Sequence, residues 1–254
     1  MRNTNKFIDK FLINTAKKVG KEILYYKKNN LIRIIKKQKN LKTNIDLIAN
    51  KIWITNIKKK FNNVNILSEE LKFYKKINKL WTGFVIDPID GTRSLYDNYK
   101  SYVTQVAFIY KGIVFSSIIY NPETKEIYTK KTRAKNKSNN IDSIIDNYPK
   151  PNKNLIRIIK ELKIANYYEA GSLGYKIAKV LDGTSSLFIK FNKVKLWDVL
   201  PGAFLIKKNG GFILDKYFNE IKLDQINIHG LIVTMNKDNL KYIKKKYPNG
   251  LLVK

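Results

Sequence analysis

The stretch GFVIDPIDGTRSL, residues 83–95, constrains the fold more than any other part of the chain. A short apolar strand, read over 84–86, runs straight into Asp87-Pro88-Ile89-Asp90-Gly91-Thr92. Such a strand belongs in a buried sheet, yet this one ends on two carboxylates three residues apart. Set on a rigid proline turn, Asp87 and Asp90 can point into one cavity. Pro88 fixes its own φ, Gly91 permits close backbone approach, and a helix starting near Thr92 would turn its unbonded amides toward an anion. A cation and a phosphate could then sit side by side at the strand end.

Further carboxylates follow other elements. Ser68-Glu69-Glu70 comes directly after a strand read over 64–67. Trp197-Asp198 places an acid at the N-cap of a helix read over 198–209, with Pro201 in its first turn. A hard cation such as Mg²⁺ takes oxygen ligands in octahedral geometry, and this set suits it. Taken singly, each acid also has a structural account: Asp198 as a cap, Glu69 and Glu70 as solvated side chains, the Asp-Pro-Ile-Asp-Gly run as a turn.

Other chemistries are narrowed by what the chain lacks. There is no cysteine, hence no disulfide, thiolate metal site or cysteine nucleophile. The single histidine, His229, excludes a multi-histidine zinc site and argues against a Ser-His-acid triad; it reads as an ordinary polar residue at a strand edge. Fifty Lys and Arg against 20 Asp and Glu give a formal charge of +30, which attracts polyanions at long range. The excess is mostly scattered lysine amid abundant Asn and Ile, and no nucleic-acid-binding signature accompanies it. We therefore read it as compositional and nucleic acid as not a partner. The N-terminal apolar residues are broken by Asp9, Lys10, Lys17 and Lys18, unlike a secretory signal, and no stretch spans a bilayer. The expectation is a cytoplasmic protein with no membrane association.

The rest of the chain, 254 residues long, alternates helices and strands. A first helix is predicted over about 5–27, with Phe7, Phe11, Ala16, Val19 and Ile23 at helical spacing, followed by a lysine-rich stretch. A second runs from Asp46 to Phe61, burying Ile48, Ile52 and Trp53. SYVTQVAFIY and IVFSSIIY, joined at Lys111-Gly112, read as a hairpin, and EIYTK adds a third strand of an antiparallel meander. Residues 130–154 are polar and low in complexity. Beyond them come an apolar run at 155–162, a helix over 172–181, strands at 186–190 and 212–214, and a closing strand and helix. The class predicted is α+β. Domains are read as an N-terminal subdomain, 1–135, and a C-terminal one, 150–254, with 136–149 a connecting surface excursion.

Taken together, a Glu-Glu pair after a strand, Asp-Pro-Ile-Asp-Gly-Thr, and Trp-Asp-Val opening a helix that ends at Gly210-Gly211 resemble the inositol monophosphatase superfamily, in order and at plausible spacing. The resemblance covers about residues 46–239. It implies a layered α-β-α-β-α sandwich, homodimeric assembly, and a Mg²⁺-dependent phosphomonoesterase acting on a small phosphorylated metabolite with two or three ions. By position, Glu69, Asp87, Asp90 and the Ile89 carbonyl would hold a first metal, with Asp90 and Asp198 sharing a second. Thr43-Asn44-Ile45-Asp46 resembles the family's Thr-x-x-Asp element, so Asp46 and Thr92 would act on the water nucleophile, with Glu70 in support. The Gly91 and Thr92 amides would hold phosphate, and Gly171-Ser172 would lie at the sugar or inositol ring. Direct in-line attack by metal-activated water follows from the same resemblance.

The sequence departs from the inositol phosphatases in Ser68 before the glutamate pair and in Arg93-Ser94-Leu95 after the hexapeptide. Upstream of Trp197, FIKFNKVKL carries no acid to grip inositol hydroxyls; it offers Lys190, Lys193 and Lys195 instead. Extra cations there suit a second phosphate, placing 3′(2′),5′-bisphosphate nucleotides slightly ahead of inositol 1-phosphate as substrate. The alternative is a non-catalytic polyanion (RNA)-binding protein on a phosphatase scaffold.

Overall fold

Helix α1 (Arg2–Lys28) buries Ile8, Leu12, Ala16, Val19 and Ile23, a stripe at spacings of three and four. The stripe is rotated from the one expected: Phe7 is 42% exposed and Phe11 only half-buried. In the computed structural model, residues 2–37, 41–71, 77–134, 140–147 and 151–251 are described. The chain divides into two compact units, Met1–Thr129 and Lys130–Lys254.

In the first unit α1 leads to a small antiparallel pair, β1 (Ile34–Lys36) and β2 (Lys42–Thr43), where the sequence showed only a lysine-rich stretch. Helix α2 (Asn44–Lys60) starts two residues earlier than expected, because Thr43 and Asp46 form its capping box. It buries Ile45, Ala49, Trp53 and Ile57, so Trp53 was placed correctly whereas Ile48 and Ile52 are only partly buried. Next come β3 (Asn65–Ser68), β4 (Gly83–Asp90), the short helix α3 (Thr92–Tyr96), β5 (Val103–Tyr110), β6 (Ile113–Tyr120) and β7 (Ile127–Tyr128). Their sheet has the order β3-β4-β5-β6-β7, with β3 and β4 parallel and the expected meander antiparallel. Lys111 and Gly112, at φ 46° and 72°, make the tight turn between β5 and β6. Both long helices pack against this sheet, over Phe84, Ile86, Val106, Phe108, Ile118 and Tyr120.

Strand β4 is longer than the sequence suggested: it continues through Asp87, Pro88 and Ile89 to Asp90 instead of ending in a proline turn. Its pairing with β3 stops at Ser68–Ile86, and its pairing with β5 skips between Asp87 and Asp90. Pro88 therefore sits in an irregularity beyond the last β3 pair, where its missing N–H costs no ladder bond.

The second unit contains β8 (Ser143–Asp146), α4 (Lys153–Glu161), β9 (Asn166–Glu169), α5 (Leu173–Leu181), β10 (Leu187–Lys190), β11 (Val194–Lys195), α6 (Leu196–Lys208), β12 (Phe212–Leu214), β13 (Asn227–Ile228), β14 (Leu231–Thr234) and α7 (Lys237–Lys246). Five strands form a mixed sheet in the order β12-β14-β10-β8-β9, and β11 pairs with β13. Its core includes Ile144, Leu155, Ile158, Leu187, Ile189, Ile232 and Ile243. Strand β8 corrects the reading of 136–149 as a surface excursion: all four of its residues are buried, parallel to both β10 and β9. Residues 135–139 and 148–150 of that stretch lie outside the described residues. Strand β9 was not anticipated, and the apolar run that precedes it, 155–162, forms most of α4.

Candidate active site

In the first unit, the end of β4 gathers the acids. The last β3 pair, Ser68–Ile86, brings the residue after it alongside: the Glu69 N–H donates to the Ile86 carbonyl at 3.2 Å. Carboxylate oxygens of Glu69, exposed, and Asp87, buried, consequently lie within 4.8 Å of one another. Ser68 is fully buried and donates to Asn50 Oδ1 at 2.8 Å, anchoring the strand end to α2. Asp90 stands beyond the irregularity, half-buried. A buried amide joins it to Asp87: Gln105 Nε2 donates to Asp87 Oδ2 at 3.4 Å and to Asp90 Oδ2 at 3.2 Å.

A second group adjoins the first through Thr92. Its Oγ1 lies 2.7 Å from Asp46 Oδ1 and 3.1 Å from the Ile89 carbonyl oxygen. The hydroxyl has one proton and donates it to one of these oxygens at a time. Asp46 Oδ2 accepts from the Thr43 hydroxyl at 2.6 Å and the Thr43 N–H at 2.7 Å. Burial pushes the Asp46 carboxyl up to about 6; the bonds from Thr43 and Thr92 oppose that rise, and the nearby Glu70 charge adds to it. Glu70 is mostly buried and ion-paired with Lys42. Gly91, at φ 92°, turns the chain from β4 into α3 in the left-handed region that glycine adopts without strain.

The predicted residues of the second unit fall on its helix starts and a strand end. Ser172 is the buried N-cap of α5, its Oγ accepting from the Tyr175 N–H at 3.0 Å, with Gly171 just before it. Lys190 closes β10, half-buried, and Lys193 is exposed. Lys195 is engaged locally: its Nζ donates to Asn227 Oδ1 at 2.8 Å and lies 5.9 Å from the Trp197 ring centre. Asp198 is not the N-cap of α6, as the sequence suggested, but its third residue; Lys195 is the cap, and its N–H donates to Asp198 Oδ2 at 3.0 Å. The helix begins earlier because Leu196 and Trp197 are buried and continue its apolar face. His229 is exposed between β13 and β14.

The donor set at the β4 end fits a hard divalent cation. Glu69 and Asp87 offer anionic oxygens at close range, and Asp90 is held beside Asp87 by a shared amide. No sulfur or imidazole stands among these donors to favour a softer metal. Sequence reasoning missed two members of this arrangement, Gln105 and Asn50. Both lie inside elements that read as core, and only the pairing of Gln105 with Asp87 across β4 and β5 exposes its relation to the acids.

A bulged strand that ends in clustered carboxylates beside a helix start, in an α+β chain, defines the class of proteins built to hold a divalent cation on carboxylate oxygens. The chain belongs to the inositol monophosphatase family, whose family model matches residues 4–245. It is 22% identical over 225 residues to the Nus factor SuhB of Xylella fastidiosa, covering 80% of each chain. It is 23% identical over 222 residues to the 3′(2′),5′-bisphosphate nucleotidase CysQ of Buchnera aphidicola, covering 81% of this chain and 83% of that one. Among solved structures, an IMPase/NADP phosphatase complexed with Mg²⁺ and phosphate superimposes with a TM-score of 0.81 at 19% identity, over 95% of both chains. The fold is thus the family's layered sandwich, and the family's enzymes are phosphatases.

Proposed function

We infer that this protein is a Mg²⁺-dependent phosphomonoesterase for a small phosphorylated metabolite. The observation that carries the reading is the run from Thr43 through Asp46 to Thr92, whose hydroxyl lies within bonding distance of both the Asp46 carboxylate and the carbonyl of Ile89, the residue between Asp87 and Asp90 in the strand. Glu69, Asp87, Asp90 and the Ile89 carbonyl would hold cations, with Asp198 completing the set as the family resemblance implies. Bound there, two or three Mg²⁺ ions would draw charge from the phosphoryl oxygens and lower the pKa of attacking water. Thr92 Oγ1 would orient that water and pass its proton toward Asp46 Oδ1, whose raised affinity for a proton suits a base. The Gly91 and Thr92 amides would receive a phosphoryl oxygen, and Glu70, ion-paired with Lys42, would support the site.

Among substrates, a 3′(2′),5′-bisphosphate nucleotide stands ahead of inositol 1-phosphate. Lys190 and Lys193 support a second phosphate, as does the likeness to a bisphosphate nucleotidase; the local bonds of Lys195 withdraw it from that role. Gly171 and Ser172 are proposed to face the ring through their backbone, since the Ser172 hydroxyl caps α5. Homodimeric assembly rests on the resemblance. Among the described residues no helix is long and apolar enough to cross a membrane.

The test is phosphate release from 3′-phosphoadenosine 5′-phosphate and inositol 1-phosphate, with and without Mg²⁺. Release should require Mg²⁺ and vanish in Asp90→Asn while circular dichroism stays native. Release in EDTA, or its survival in that variant, would overturn the reading.

A second reading, polyanion binding, has one specific observation in its favour. In the first unit Lys10 and Lys18 of α1 and Lys59 and Lys60 of α2 line one groove together with Phe7 and Phe11. If this is the active feature, RNA affinity should fall steeply with salt and survive Asp90→Asn.

A further inference from the structure

We propose that Gln105 is a positioning residue for the cation site, its amide setting the orientation of Asp87 and Asp90 together. The proposal rests on the reading of those two acids as cation ligands. Gln105 is completely buried on β5, where its neighbours two residues away on the same face are the buried Val103 and Ala107. A primary amide in such a place is costly unless bonded. Its register partner is Asp87, and the pairing then skips to Asp90 opposite Val103. The irregularity in β4 therefore brings both acids within reach of one side chain on β5.

The chemistry fixes which way the amide faces. Asp87 Oδ2 and Asp90 Oδ2 are both acceptors when ionised, so the NH₂ group must face them; the reverse orientation would set a carbonyl oxygen against two carboxylates. Nε2 carries two hydrogens and can give one to each acid. Each bond fixes the Oδ2 edge of its carboxylate and with it the direction of Oδ1, so the two ligands are aimed as a pair. The amide also offsets the repulsion between two like charges held close together before a cation arrives. Groups that orient metal ligands in this manner alter metal affinity by about 10–100-fold when removed.

The test is a Mg²⁺ titration of thermal unfolding, run beside phosphate release, on wild type, Gln105→Leu, Gln105→Glu and Asp87→Asn. In Gln105→Leu, which keeps the volume and loses the donor, the Mg²⁺ concentration giving half the Tm shift should rise about 10–100-fold. Its phosphate release should recover toward wild type as Mg²⁺ is raised. Gln105→Glu, nearly isosteric, should have a lower Tm than wild type in EDTA and a larger Mg²⁺-induced rise. A Gln105→Leu protein of lower Tm but unchanged half-saturating Mg²⁺ overturns the proposal, leaving Gln105 as a core residue only. If Gln105→Leu does not fold, Gln105→Met is read by the same criteria and Gln105→Glu by its own. The two levels separate cleanly: a wild type that Mg²⁺ does not stabilise removes the cation site and the proposal with it. A wild type that responds, an Asp87→Asn that does not, and a normal Gln105→Leu remove the proposal alone.

Discussion

Asp46 gives the first unit a pH dependence whose size follows from its surroundings. The side chain is 2% exposed and its carboxyl is pushed from an ordinary 3.8 up to about 6, first by burial. The folded chain therefore holds this proton more tightly than the unfolded one. The associated stability is full below about pH 3.8 and is lost as pH rises through about 6. Converting the two pKa values gives about 3 kcal/mol over the whole window and about 1.3 kcal/mol between pH 7 and pH 5. Other acids titrate in the same range, so the measurement is a double difference. Wild type and Asp46→Asn are unfolded by urea at both pH values, in EDTA, and the change in wild-type stability is compared with that of the variant. Wild type should gain about 1.3 kcal/mol more than Asp46→Asn on going from pH 7 to pH 5. A double difference near zero, or of opposite sign, would refute a buried carboxyl with raised proton affinity and remove the physical basis for assigning it as a base.

Replacing Thr92 by Val removes the hydroxyl between Asp46 and the Ile89 carbonyl. Phosphate release should fall about 100-fold at saturating Mg²⁺, while urea stability drops by about 1 kcal/mol. Trp53→Phe breaks the 2.8 Å bond from Trp53 Nε1 to the buried Thr104 hydroxyl and should lower stability by about 1–3 kcal/mol, read by denaturation. Gly83→Ala would set a Cβ 2.1 Å from the Asn65 carbonyl oxygen at the start of the β3–β4 pair. It should cost about 1–3 kcal/mol and reduce phosphate release, because the same pair carries Glu69 to Asp87.

The carboxylates were legible because they are local signals. Asp-Pro-Ile-Asp-Gly-Thr after an apolar strand, Glu69-Glu70 after another, and Thr43 three residues before Asp46 each announce themselves within a few positions, and the structure sets the first-unit members beside one another. The hairpin at Lys111-Gly112 was readable for the same reason, since its turn needs two left-handed residues. Helix faces were readable only in part. In α1 and α2 several apolar residues compete for the buried stripe, and the sheet selects Ile8, Leu12, Ile45 and Ala49 over Phe7, Ile48 and Ile52.

The sequence alone determined the acids and the order of most elements, because hydrophobic period, turn chemistry and a dense run of carboxylates are properties of neighbouring residues; the family came from the resemblance of the ordered motifs. Strand pairing decided the rest. It buried Ser143–Asp146 as β8 between two strands distant in sequence, where the polar flanks suggested surface. It also let β4 run on through Pro88 by ending β3 at Ser68, and laid Gln105 across from Asp87. Such contacts depend on which strands meet and in what register, and that is fixed by the packing of the whole sheet.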